Sequence, residues 1–180
     1  GGIKKSMAQP AAVTENQLVE QTVPRLNEML AQGTTTIEIK SGYGLTLDTE
    51  LKMLRAIEKI KKKTPIEIHP TFLGAHDIPV GVKRESYIQT VIQEMIPRVA
   101  EEKLATYCDI FCDRGFFTPD ETRKIGRAAI EAGFKIRLHA NELENSGGAE
   151  VAAELNAVSA DHLLFLEKTQ IEALKEKSVI

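Results

Sequence analysis

The sequence predicts an α/β fold built on a parallel sheet, and three observations carry that prediction. β-branched or alternating segments begin near residues 34, 66, 106, 135, 157 and 178. Amphipathic helical segments fill the intervals between them. No linker, low-complexity tract or internal repeat interrupts the cycle. Strands that alternate with helices imply βαβ units, whose strands run parallel. Two architectures meet this pattern, an open doubly wound sheet and part of a (β/α)8 barrel. No GxGxxG follows the first strand and no Walker-type phosphate loop is present, which lowers the nucleotide-binding reading.

Each element has local reasons. Thr14 and Gln17 have capping-box spacing, and Leu18, Thr22, Val23, Leu26, Met29 and Leu30 follow on one helical face until Gly33. Thr34 to Lys40 alternates and is β-branched, a strand ending at Ser41-Gly42-Tyr43-Gly44. Leu51, Leu54, Ile57 and Ile60 carry a helix from about Asp48, stopped at Thr64-Pro65, and Ile66 to Leu73 is the next strand. Glu85 to Glu102 is helical, with Pro97 expected to kink or split it. Ala105 to Phe111 is a strand. Thr118-Pro119-Asp120-Glu121 then opens a helix with a cap, an N1 proline and a capping-box Glu, closed by Gly133. Lys135 to His139 is a strand, Gly148 to Leu155 a short helix and Ala157 to Asp161 a strand. A helix over Thr169 to Lys177 is expected to be capped by Thr169 and Glu172, and Ser178-Val179-Ile180 reads as a strand beginning.

Composition excludes several classes. The 180 residues are 42% hydrophobic and 27% charged, which is neither disordered nor membrane-spanning. No apolar run approaches the roughly 18 residues of a span. A net charge of −3 removes the electrostatic footprint of a general nucleic-acid or acidic-membrane binder. Gly1-Gly2-Ile3-Lys4-Lys5 lacks the apolar stretch of a signal peptide. Cys108 and Cys112 are the only cysteines and lie on one side of a strand, read as two reduced, packed thiols. The expected compartment is the cytoplasm.

In parallel α/β folds chemistry collects at the carboxyl ends of strands. Three of the four histidines, His76, His139 and His162, lie at or just beyond such an end. Alternation in Lys135-Ile136-Arg137-Leu138-His139 sets His139 on the polar face, where a neutral imidazole nitrogen suits a metal ion. Glu142, three residues on, is near enough to take and give the protons of an activated water. Asp161 could pair with His162 and orient its ring, or satisfy the start of the turn that follows. Tyr43, between two glycines, is free to reach a ligand. His69, on the face shared with Glu67 and Thr71, reads as structural. Gly147-Gly148 reads as a tight turn in preference to an anion site, and Lys59 to Lys63 as a solvated helix end.

Four segments carry a further pattern: Glu38-Ile39-Lys40-Ser41-Gly42-Tyr43-Gly44-Leu45, Thr71-Phe72-Leu73-Gly74-Ala75-His76, Leu138-His139-Ala140-Asn141-Glu142 and Ser159-Ala160-Asp161-His162-Leu163. In this order they resemble the imidazolonepropionases, a family of the metal-dependent amidohydrolase superfamily, and the resemblance runs from Gly1-Gly2-Ile3 to the last residue. It implies a (β/α)8 barrel of which residues 1–180 hold about strands two to seven, an incomplete domain. It implies hydrolysis of the ring amide of 4-imidazolone-5-propanoate to N-formimidoyl-L-glutamate, in histidine degradation. It implies one zinc or iron ion with His139 as a ligand, Glu142 and His162 as catalytic residues, and Tyr43, His76 and Glu142 as substrate contacts. The family's remaining ligands, a His-Xaa-His on the first strand and an aspartate on the eighth, lie outside this chain, so the isolated chain is expected to be inactive. No lysine over Cys108 to Asp113 can bridge two metals, which favours a mononuclear centre. A small-molecule substrate is expected, with no nucleic acid and no membrane; a homodimer is one assembly open to it. Two alternatives stand beside this reading: another cyclic amidohydrolase or deaminase, and a non-catalytic α/β binding module.

Overall fold

The computed structural model describes residues 8–180; the Gly1-Gly2-Ile3 start of the resemblance and the leader reading of Gly1 to Lys5 lie outside them. Five strands pair parallel in chain order: β1 (Thr36–Lys40), β2 (Glu67–Ala75), β3 (Tyr107–Cys112), β4 (Lys135–Ala140) and β5 (Ser159–His162). That order decides between the two architectures. Right-handed crossovers that always step the same way put every helix on one face of the sheet. A doubly wound sheet needs a reversal of strand order to cover its second face, and among the described residues no reversal occurs. The sheet curls into a half-barrel, part of a (β/α) barrel. Beyond β5, the Ile180 carbonyl accepts from Ala160 N and Ile180 N donates to Val158 O, at 2.8 and 3.2 Å, so the chain's end starts a further pairing as expected.

The helices form where the sequence signals them. α1 (Ala8–Ala12) precedes α2 (Glu15–Ala31), which opens on the Thr14–Gln17 capping box, and α3 (Leu47–Lys61) opens on Thr46. Lys59 at the end of α3 pairs with Glu15 of α2 and Lys61 with Glu58, so this basic stretch is the solvated helix end it reads as. Pro97 does not split its helix. α4 (Arg84–Thr90) runs through a π-helical segment, Val91–Met95, into α5 (Ile96–Glu101), and Pro97 sits in the first turn of the latter. The wider π turn just before Pro97 relieves the ring's clash with the preceding turn, so a change of winding replaces a break. α6 (Pro119–Glu131) carries the Thr118–Glu121 box. α7 (Gly148–Glu154) approaches β4 closely; a Cβ on Gly148 would stand 2.8 Å from the Ala140 Cβ and 2.9 Å from the Cys112 carbonyl. α8 (Lys168–Glu176) begins one residue before the expected cap. Glu167 is its N-cap, its N–H donating to Gln170 Oε1 at 2.8 Å, because Thr169 already lies inside the first turn.

The two sides of the sheet differ in kind. Ile68, Phe72, Cys108, Ile110, Ile136, Leu138 and Ala140 face the helices and join one core with Leu54, Ile57, Val91, Met95, Ile125, Ala129 and Val151. Each large side chain so buried contributes about 2 kcal/mol of transfer free energy. Cys108 and Cys112 are buried on this side, and burial pushes both thiols up, Cys112 to about 11. The alternate residues, Glu38, Lys40, Thr71, Asp109, Arg137, His139, Ser159 and Asp161, form the concave inner side. Among the described residues no helix is long and apolar enough to cross a membrane.

Candidate active site at the carboxyl end of the sheet

The five sequence-predicted site residues form one arc. The Tyr43 ring meets His76 edge-on at 5.1 Å between centroids, His76 lies 5.9 Å from His139, and His139 lies 5.2 Å from His162. The arc ends where His162 Nε2 stands 3.5 Å from Glu142 Oε2, both side chains about one-third exposed. Phe111, at the end of β3, fills the space beside His76 and His139 with centroid distances of 6.0 and 5.5 Å.

The loop bearing Tyr43 hangs on a buried carboxylate. Glu50, in the first turn of α3, is fully buried and accepts the N–H groups of Gly42, Gly44 and Leu45, each at 2.9 Å. Three amides turned toward one anion form a nest that compensates the buried charge. Gly42 has φ 100° and packs so closely on Leu73 that a Cβ would lie 2.7 Å from the Leu73 carbonyl, so glycine is required there. The Gly42 carbonyl lies 2.9 Å from His76 Nδ1. A carbonyl can only accept, so Nδ1 carries the proton and Nε2 is the free nitrogen. Burial holds the His76 pKa below its ordinary value, which keeps this ring neutral.

Beneath His139 lies a charged layer. Lys40 Nζ stands 2.6 Å from Asp109 Oδ2, 2.7 Å from Asp161 Oδ2 and 3.4 Å from Glu38 Oε2. Asp109, wholly buried, also accepts from His139 Nδ1 at 3.0 Å. One layer down, Glu38 accepts from the Thr71 hydroxyl and faces Arg137 Nε at 3.3 Å, and the Arg137 guanidinium stacks on Tyr107 at 4.1 Å. Burial alone would raise the Asp109 pKa, but the hydrogen bonds and charges of His139 and Lys40 outweigh it and hold it low. Burial likewise works to lower the pKa of Lys40 and of His139, and the Asp109 carboxylate reverses the sign for both.

Asp161 does not orient His162. Its carboxylate points to Lys40, while His162, with φ 75° at the end of β5, turns to Glu142. Neighbouring strand residues face opposite ways, and the lysine ammonium inside the barrel attracts the carboxylate more strongly than an adjacent ring. His69 is half-exposed and 3.2 Å from Glu67. The Gly148 and Ala149 amides that an anion would need are taken by Asn141 Oδ1, which accepts from them at 3.0 and 3.2 Å. Asn141 Nδ2 donates to Phe165 O at 2.8 Å and its φ is 49°, so the position needs an amide that both gives and accepts and that tolerates the left-handed region.

Sequence reasoning set Lys40 and Asn141 at strand ends without a role, and missed Asp109 and Glu50 altogether. Lys40 and Asp109 had a signal: each is a charge at an inward position of a strand whose outward positions are apolar. Glu50 had none, since a first-turn glutamate is common on any helix.

Metal candidacy follows from this chemistry. Asp109, His139 and Asp161 offer ligand atoms within 4.8 Å of one another. The Lys40 ammonium already stands between the two carboxylates and supplies the cation they need. His139 differs: a buried carboxylate holds its Nδ1–H and leaves Nε2 as a free donor, the arrangement in which a ligating histidine is fixed.

No protein-family model matches the chain. Over its whole length it is 48% identical to the imidazolonepropionase of Clostridium tetani (strain Massachusetts / E88), 45% to that of Brevibacillus brevis and 43% to that of Alkaliphilus oremlandii. The chain spans 43% of the length of each of these relatives.

Proposed function

We propose that this chain, which belongs to the imidazolonepropionase family over the stretch it spans, supplies one side of the active site for hydrolysis of the ring amide of 4-imidazolone-5-propanoate to N-formimidoyl-L-glutamate. The chain is then part of one (β/α)8 barrel domain, completed by strands from the rest of the protein, and acts in the cytoplasm on a small molecule. The observation that carries this reading is the convergence of His139, His162 and Glu142 at the ends of β4 and β5, on the rim of an inward-facing charged layer.

His139 Nε2 would hold a single zinc or iron ion, together with ligands from outside this chain. Such an ion supplies Lewis acidity, lowering the pKa of water toward neutrality and polarising a carbonyl. Glu142 accepts the proton of the attacking water and returns it to the ring nitrogen as the C–N bond breaks. His162, 3.5 Å from that carboxylate, donates to the oxygen on which charge develops. Tyr43 and His76 bind and orient the ring, with the neutral His76 offering Nε2 as an acceptor. Asp109 keeps His139 in the tautomer that leaves Nε2 free, and Lys40 keeps Asp109 ionised.

The test is a substrate panel on the full-length protein that contains this sequence. Imidazolonepropionate should be turned over in preference to hydantoins, pyrimidines and guanine, and E142Q should lower turnover by about 10³-fold while metal content holds. Preference for another ring, or an active E142Q, would overturn the reading. The 180-residue chain alone should show no turnover, because one histidine cannot hold a catalytic metal.

A further inference from the structure

Asp113 follows the last residue of β3 and is nearly fully buried. Its Oδ2 accepts two consecutive backbone N–H groups from the neighbouring rim segment, Glu142 at 2.7 Å and Leu143 at 2.9 Å. Its Oδ1 accepts from Arg114 N at 2.7 Å. The residue just before Glu142 is pinned independently: Asn141 is fully buried in the left-handed region and bonded to the start of α7 and to Phe165 O. The Glu142 backbone is therefore clamped on both sides. Its carboxylate, by contrast, makes one close polar contact among the described residues, His162 at 3.5 Å. The backbone clamp sets where that carboxylate stands.

We propose that Asp113 is a positioning residue for Glu142: its carboxylate, by binding the Glu142 and Leu143 amides, sets the reach of the Glu142 side chain toward His162 and the reacting water. This rests on the reading of Glu142 as the proton carrier. A carboxylate suits the task because both oxygens only accept and the two converging N–H dipoles favour negative charge. An asparagine there would turn an NH2 group toward an N–H or give up one of the three bonds.

Asp113 also shapes its own turn through Arg114 N, so the experiment must separate positioning from simple support. The full-length protein is prepared as D113N, E142Q and the double variant, and metal content, kcat and KM on imidazolonepropionate are measured. D113N should lose about 100-fold in kcat, as expected for a misplaced catalytic group, with KM and metal content little changed. On the residual rate of E142Q, the second substitution should cost less than about two-fold, since residues acting through one group are not additive. An equal fractional loss in both backgrounds, a loss of metal, or a KM effect without a kcat effect would overturn the proposal. D113S, smaller and still an acceptor, replaces D113N if the latter does not fold; if neither folds, Asp113 is a structural residue and the proposal fails. Full turnover by E142Q defeats the reading of Glu142, whereas an inactive E142Q beside a fully active D113N defeats the role of Asp113 alone.

Discussion

The same five strands present two opposite surfaces. On the helix side, alternate residues such as Ile110, Ile136 and Leu138 merge into one apolar core. On the concave side, their immediate neighbours, Asp109, Arg137 and His139, are charged or titratable; Asp109 and His139 bond each other, and Arg137 faces Glu38. Parallel sheets are ordinarily apolar on both faces. A polar inner face survives here because every charge has a counter-charge at bonding distance, Lys40 between Asp109 and Asp161 above and Arg137 beside Glu38 below. The outer face thus supplies the burial energy of the fold, while the inner face, whose ion pairs add little net stability yet are costly to break, fixes the rim histidine.

The comparison breaks if the inner face tolerates loss of its cation. Lys40→Met leaves Asp161 without its cation and Asp109 with His139 alone, and should destabilise the chain by about 4 kcal/mol at neutral pH, read by urea unfolding. Carboxylates deprived of a cation in this way have raised folded pKa values, so the loss should shrink as the pH falls and they protonate. On the outer face, Leu138→Ala should cost about 3 kcal/mol by leaving a cavity, with turnover per folded molecule in the full-length protein unchanged. A comparable loss of turnover would merge the two roles that the faces keep apart.

Asp109→Asn sharpens the same contrast, because it alters the hold on His139 while leaving the core untouched. Metal affinity of the full-length protein should fall about 10- to 100-fold in a chelator competition. Smallest is the effect outside both faces, at the tie between α4 and α6. The Arg84 guanidinium beside Glu121 holds that carboxyl at about 2, below the ordinary 4.5. A depressed folded pKa means stability that is present above 4.5 and lost as the pH falls toward 2. The Tm deficit of E121Q should therefore be largest at neutral pH and vanish in acid, with no change in the rim.

Much of this was legible in the chain. Period-2 alternation in Lys135 to His139 is enough to set His139 on the polar face, and the Thr14 and Thr118 boxes mark their helices to the residue. The π turn before Pro97 was not legible, because no local preference announces a change of winding, whereas the Glu167 cap rests on a local box with Gln170 that the Thr169–Glu172 reading passed over. The pairing of Asp161 misled for a related reason. Adjacency in sequence suggests the partner His162, but the alternation of the strand and a lysine 121 residues away decide it.

By itself the sequence determined the alternation of helix and strand, the face on which each residue lies, and the rim to which Tyr43, His76, His139, Glu142 and His162 belong. These follow from periodicity and local capping, which act within a few residues. Only the tertiary structure decided which charges meet. Lys40, Asp109 and Asp161 come from three strands, and Asp113 and Asn141 hold backbone in other loops. Contacts at such separation are chosen by curling the sheet so that buried charges find opposite partners, a condition no local stretch of sequence expresses.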